Sequence, residues 1–440
     1  MEKIERIVIG IPTFRRPWGL SRLLSSIGKL NVQFDLHILV ADNDKDKIKK
    51  EKDGSVKILP PVKNNGNKGA KSIIGKETIE KALAFALDIE GVKNITLEIP
   101  EVKGAEKYTL NLPTDVLTSN EMDKKLELKT PIGSIVAAGN MFKKDEINKS
   151  TIEITIGIAD KSSLSNKVKD KVGKRPVIEL HAQVGGKILD WYNPDSPVTV
   201  NIEYQPTEEE LKDIEHIVVW YIDDEGQISP VPNAKYNPET GKVIFTTNHF
   251  SEYAIAFNKK TFDDINIEWA KKAIEVMASK GVINGTSETT YSPLNNISRA
   301  DFICLLVRTL ELNADYTSNF KDVQKDDYFY EALGVAKQLG ISNGIGDNQF
   351  NPHEEISRQD MMVLINRAIK IAGKTAESEI TIDIAEFEDA DYISNYALEG
   401  VTALINQGII KGNDNKINPL GSATRAETAV MIYRIMDKYI

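Results

Sequence analysis

The sequence predicts a multidomain α+β protein: a short βαβ opening, a β-rich, sandwich-like middle region and an α-helical C-terminal region. Three observations predict it. Residues beyond about 260 repeat one grammar three times at helical spacing. Residues from about 52 to 258 alternate apolar and polar side chains between Pro- and Asn-containing turns. The first fifty residues run from a buried strand into a helix face and back to a strand. The 440 residues divide accordingly into segments 1–50, 51–165, 166–258, 259–315, 316–377 and 383–440.

The opening segment comes first. Ile7-Val8-Ile9-Gly10-Ile11-Pro12-Thr13 reads as a strand entering a turn. Leu20, Leu23, Leu24 and Ile27 share one helix face, and Leu36–Ala41 is a second strand ending at Asp42. Acids at a strand's C-terminal end lie where open α/β sheets bind ligands. This opening resembles the start of a family 2 glycosyltransferase, which implies that Pro12-Thr13 and Asp42 lie near a nucleotide-sugar base. The resemblance stops near Lys45, before any metal-binding Asp-x-Asp or catalytic base, so residues 1–50 are expected to be a fragment. The first residues also show no secretory-signal pattern.

The middle follows the strand period. Ile95–Ile99, Tyr108–Leu112, Thr151–Ile156, Val198–Ile202, His216–Ile222, Lys242–Thr247 and Tyr253–Phe257 are predicted strands, and a helix is predicted near Thr78–Leu87. This region resembles the β-rich stalks of surface proteins of Gram-positive type, which implies display without a reaction. His249-Phe250-Ser251 resembles the His-x-Ser/Thr site of self-cleaving strand modules, with Ser251 as nucleophile and His249 as base. The alternative is a β-turn whose hydroxyl caps the backbone.

Each C-terminal repeat opens with an aromatic-x-Asp element: Phe262-Asp263-Asp264, Phe320-Lys321-Asp322 and Phe387-Glu388-Asp389. A helix follows, with Trp269, Tyr328 and Tyr396 near its start and Gly281, Gly340 and Gly408 at its exit, where a left-handed residue is needed. Then come Gly285, Gly344 and Gly412, a turn, and the motifs Ser298-Arg299-Ala300-Asp301, Ser357-Arg358-Gln359-Asp360 and Thr424-Arg425-Ala426-Glu427. The hydroxyl and the acid three residues later are a helix N-cap and its capping-box partner. Helix capping does not require the arginine, and a cation there faces the positive end of the helix dipole. Arginine beside free backbone N–H groups would instead make an anion site. One helix pair per repeat cannot bury its apolar face alone, so the three are expected to pack together.

These motifs resemble three S-layer homology domains. The resemblance implies a pseudo-threefold helical assembly whose grooves bind secondary cell-wall polysaccharide, often pyruvylated. It implies that Arg299, Arg358 and Arg425 meet the ligand, that Gly285, Gly344 and Gly412 let sugar approach the backbone, and that Trp269, Tyr328 and Tyr396 stack on sugar rings or pack in the core. Gln359 stands where the family has Ala, and Ala423 where it has Ile. The resemblance implies a cell-wall location, and with no secretory signal in the first residues the expectation is either that the true start is missing or that the first segment was joined to an exported protein. Lattice formation with neighbouring copies is the purely structural alternative.

Composition sets the outer limits. A net charge of −10 argues against a general nucleic-acid or anionic-membrane binder, and no apolar run approaches the ~18 residues of a membrane span. Cys304 is the only cysteine, so no intrachain disulfide can form, and it lies in an apolar run as a core residue. The five histidines show no ligand spacing, and neither a metal nor another cofactor is expected.

Overall fold

The computed structural model describes residues 47–119, 123–144, 147, 149–374 and 382–440. The predicted βαβ opening lies outside these, apart from Lys47–Lys50, which pairs as an antiparallel strand with Val56–Leu59. The chain is mixed α+β, with strands in its middle and helices at its C-terminal end. It forms two compact units, one running to Gly157 and including Leu180–Val198, the other comprising Ile158–Glu179 and Thr199–Ile440.

In the first unit, strands Val56–Leu59, Val92–Glu98 and Lys124–Lys129 pair in parallel, and Gly133–Ala138 adds on antiparallel. Gly69–Ile73 pairs in parallel with Lys107–Pro113, which pairs antiparallel with Thr151–Ile158. Parallel neighbours need long crossovers. Helix α1 (Lys76–Phe85), burying Ile79 and Ala82, lies within the crossover from Val56–Leu59 to Val92–Glu98. Trp191 fixes a turn by donating its indole N–H to the Met141 carbonyl at 3.0 Å.

In the second unit, Ile217–Ile222 pairs antiparallel with both Ile228–Val231 and Glu252–Phe257. Val218, Trp220, Ala254 and Ala256 share a core with Val168 and Val172 of helix α2 (Asn166–Val172), which Ser165 caps. Among the described residues six further helices follow: α3 (Glu268–Ser279), α4 (Arg299–Thr309), α5 (Tyr330–Gln338), α6 (Arg358–Ile371), α7 (Leu398–Asn406) and α8 (Arg425–Tyr439). They share one apolar core. Packing crosses repeat boundaries: α4 lies on α5, α6 on α7, and α8 returns to α3. Cys304 is partly buried against this core, and burial pushes its thiol up to about 11, away from thiolate chemistry.

The turns that flank the strands of this unit hold directly to its helices. The imidazole Nδ1 of His216 lies 2.7 Å from the Ser279 hydroxyl, the Tyr433 hydroxyl donates to Glu215, and the buried Lys280 ammonium donates to the Ala234 carbonyl. No helix of the described residues is long and apolar enough to cross a membrane.

Candidate functional site

The repeats meet along a closed chain of backbone hydrogen bonds. Ile297 N–H donates to the Ala423 carbonyl, Ala423 N–H to Ile356, and Ile356 N–H to Ile297. A second cyclic set runs the opposite way around. The N–H groups of Arg299, Arg358 and Arg425 donate to the carbonyls of Glu354, Gly421 and Asn295, and those of Ala300, Gln359 and Ala426 to Pro352, Pro419 and Pro293. Ser298, Ser357 and Thr424 cap the third amides, those of Asp301, Asp360 and Glu427. Thr424 and Glu427 complete a reciprocal capping box.

The expected free N–H groups beside the arginines are therefore corrected. The first three amides of α4, α6 and α8 are already satisfied by protein oxygens, because each helix starts against the turn of the next repeat. An anion arriving here meets side chains rather than the bare end of a helix.

Each arginine reaches into the neighbouring repeat. Arg299 Nε donates to the Phe350 carbonyl at 3.0 Å, with its guanidinium 4.9 Å from the Phe350 ring centre and Nη1 3.5 Å from Asp360. Arg358 Nε donates to Ile417 at 2.8 Å, and its Nη1 lies 2.5 Å from Glu427 Oε1. Both are buried. Arg425 Nε donates to Tyr291 at 2.9 Å, its Nη2 to Asn284 at 2.8 Å, and it stacks 4.5 Å from the Tyr291 ring. Arg425 is only partly buried.

The three aromatics are on the surface, at 60%, 73% and 58% exposure for Trp269, Tyr328 and Tyr396, so of the two roles considered core packing is excluded. Tyr328 donates its hydroxyl to Asp301 at 2.6 Å and Tyr396 to Asp360 at 2.7 Å. Each thus bridges to the motif acid of the preceding repeat, and Asp360 in turn lies 3.5 Å from Arg299. Burial and the nearby carboxylate raise the Tyr396 hydroxyl to about 12, so it stays a donor. Trp269 is the second residue of α3, whereas the two tyrosines lie just before α5 and α7.

The glycines split by role. Gly281, Gly340 and Gly408 leave their helices at φ of 69°, 72° and 73°, in the left-handed region. At Gly285, Gly344 and Gly412 an added Cβ would meet a backbone oxygen of the following turn at 2.4, 2.2 and 2.9 Å and crowd Phe262, Phe320 and Phe387. Packing inside each repeat accounts for these glycines without any ligand.

Two further sets of residues escape the motif. Asp264, Asp322 and Asp389 each accept two backbone N–H groups from the turn about 28 residues on, which is what the aromatic-x-Asp element does. Arg308, Arg367 and Arg434 donate to the carbonyls of Val282, Ile341 and Ile409, pinning each second helix to the exit of the first. Their constant offset of nine from the motif arginines was the available signal. Gln359, in place of Ala, exchanges hydrogen bonds with Ser394 of the next repeat.

Ser251 donates its hydroxyl to the Ile222 carbonyl at 3.0 Å, and His249 Nδ1 lies 3.4 Å from the Thr247 hydroxyl and 3.1 Å from the Asn248 side-chain oxygen.

A family model for the S-layer homology domain matches residues 261–303, 319–362 and 386–429. The three helical repeats are S-layer homology domains. The chain is 28% identical over 350 residues to an amylopullulanase of Thermoanaerobacterium thermosulfurigenes, covering 79% of this chain and 18% of that one. It is 29% identical over 173 residues to the surface-layer 125 kDa protein of Lysinibacillus sphaericus, covering 38% and 14%. With S-layer protein EA1 of Bacillus anthracis it shares 29% over 188 residues, covering 42% and 21%. The chain thus spans no more than about a fifth of these relatives. S-layer homology domains anchor surface proteins to the cell wall by binding its polysaccharide, and they place this chain at the cell surface.

Proposed function

We propose that the three S-layer homology domains form a pseudo-threefold assembly that holds this chain on secondary cell-wall polysaccharide through anionic, pyruvyl-bearing sugars. The supporting observation is the recurrence of an arginine that crosses a repeat boundary, with the exposed Tyr328 and Tyr396 bonded to the motif acids Asp301 and Asp360. A guanidinium suits a carboxylate in geometry and charge, and an exposed ring suits the apolar face of a sugar. Arg299, Arg358 and Arg425, with Trp269, Tyr328 and Tyr396, are the proposed contacts. Gly285, Gly344 and Gly412 serve them indirectly, by holding the turns that carry Tyr291, Phe350 and Ile417.

In this reading the preceding strands are a sandwich-like stalk, and the chain is a binding module rather than an enzyme. Names among the relatives include enzymes, so the stalk is proposed to present whatever continues the protein. The test is co-sedimentation of the chain with purified wall sacculi before and after their polysaccharide is stripped. Retention on intact sacculi and release from stripped ones is expected. Equal retention on both defeats the proposal, as does assembly into sheets without wall material combined with no retention.

A further inference from the structure

A cavity of about 360 Å³ opens in the second unit, where helix α2, the strand Ile228–Val231 and the segment leading into helix α3 meet. Lys171, Lys259 and Lys260 supply cations to it, and Trp220, Ile228 and Pro230 supply apolar wall. In a chain of net charge −10, these ammoniums on one cavity are a local reversal of sign. Lys259 pairs with Asp213 at 2.6 Å. Lys171 and Lys260 have no carboxylate within ion-pair distance among the described residues. Their ammoniums lie instead 5.5 Å from the Trp220 ring centre and 5.6 Å from that of Phe262.

The cavity also leaves a donor unused. Trp220 is 4% exposed, yet its indole N–H has no hydrogen-bond partner among the described residues. The nitrogen is not sealed inside the core either, and the open space that Trp220 borders is this cavity. Buried donors are normally satisfied, as that of Trp191 is by the Met141 carbonyl. The last turn of α2 suits Lys171 on dipole grounds, which explains neither Lys260 nor the bare indole. A peptide strand is a poor occupant. Ile228–Val231 is the last strand on its side of the sheet, and Pro230 has no N–H to offer a further one.

We infer that this cavity binds a phosphomonoester, whose phosphate accepts from the Lys171 and Lys260 ammoniums and the Trp220 indole N–H while its organic part lies on Ile228 and Pro230. These three free groups are all donors, which fits an acceptor-only anion. Two uncompensated ammoniums match a dianion. Lysines act as point charges, which suits a phosphate better than the planar carboxylate that an arginine fork grips. The site shares no residue with the proposed polysaccharide contacts and does not depend on them.

The test is calorimetry of the full chain with phenyl phosphate, and with benzoate as the monoanion of the same ring. One phenyl phosphate per chain is expected, bound about tenfold or more tightly than benzoate. Trp220→Phe keeps a ring and removes the N–H, and Lys171→Gln and Lys260→Gln alter side chains that belong to no apolar core. Each change is expected to weaken phenyl phosphate about tenfold, the worth of one hydrogen bond to a charged group, with circular dichroism unchanged. Absence of phenyl phosphate binding at millimolar concentration overturns the assignment. So does equal binding of benzoate, or wild-type affinity in Trp220→Phe or in the chain carrying both lysine changes. Sedimentation with wall sacculi then tells where the phosphate is carried. Competition by phenyl phosphate places it on the wall, and unaffected retention places it on a diffusible molecule.

Discussion

Gly340 and Gly344 have nearly the same backbone angle, φ of 72° and 75°, but different surroundings. A Cβ on Gly340 would meet open space, whereas on Gly344 it would lie 2.2 Å from the Gln349 carbonyl oxygen and 2.9 Å from the Phe320 ring. Gly340→Ala should therefore cost only the left-handed penalty, about 1 kcal/mol, while Gly344→Ala adds a clash and should cost about 3 kcal/mol or more. Urea titration of the two variants measures the difference, and equal midpoints would show that the turn relaxes freely. Arg358→Ala removes the bond to Ile417 and leaves Glu427 facing a buried gap, a loss of roughly 2–4 kcal/mol given that Glu427 is partly solvated. Lysine cannot supply both bonds from one planar group, so Arg358→Lys should recover less than half of that. At this scale the sequence was readable where chemistry is local: Ser298, Ser357 and Thr424 cap as their spacing demands. It was misleading where a partner comes from another repeat. Nothing within Ser357-Arg358-Gln359-Asp360 reveals that Pro419 and Gly421 already occupy the amides beside Arg358. Ser251 depends on a strand 29 residues back. Its hydroxyl is held by Ile222, so overnight incubation should leave one species at the full 49.0 kDa by intact mass.

Helix α3 is followed by a lysine that the fold covers. Lys280 is 7% exposed and donates to the Ala234 carbonyl, and burial lowers its ammonium to about 8. In the unfolded chain the same group titrates near 10.4. Below pH 8 both states carry the proton, so the folded state bears the full desolvation cost. Between pH 8 and about 10.4 the unfolded chain binds more protons, and stability rises with pH through that window. The free-energy gap between wild type and Lys280→Met should therefore shift in favour of the wild type by about 3 kcal/mol from pH 7.5 to pH 10.5. Denaturant melts of both proteins across that range read it, and a pH-independent gap would mean the amine is hydrated. Elements such as α3 were legible because apolar spacing and the exit glycine bracket them. The alternation in Ile95–Leu97 and Tyr108–Leu112 likewise marks strands. It carries no information on direction: Val92–Glu98 is flanked by two parallel partners, and α1, visible as a short helix, gave no sign of bridging them. Arg308, Arg367 and Arg434 show a recoverable signal, since a strict offset within a repeat is visible before any contact is known.

The order of packing governs how the S-layer homology domains hold together. In a linear array, removing the last repeat subtracts one increment and leaves the rest standing. Here α8 of the third repeat packs on α3 of the first, and the Ile297, Ile356 and Ala423 amides form a closed cycle. Removing residues 375–440 therefore strips α3 of its partner helix, unpairs the Ile297 amide and the Ile356 carbonyl, and exposes apolar surface on α4 and α6, which share the core with α8. It also takes Tyr433 and its hydrogen bond to Glu215 from the strand region of the same unit. Losses at both ends of the remaining pair leave only the interfaces that α4 makes with α5 and α6. A chain ending at Lys374 should thus lose the cooperative thermal transition of repeats one and two as well, not merely shift it, and its amides in α3 and α4 should exchange near the unfolded rate. Circular dichroism at 222 nm with hydrogen exchange decides between the ring and the array. A sharp transition with protected α3 amides in the shortened chain would establish that each repeat stands on its own neighbours alone.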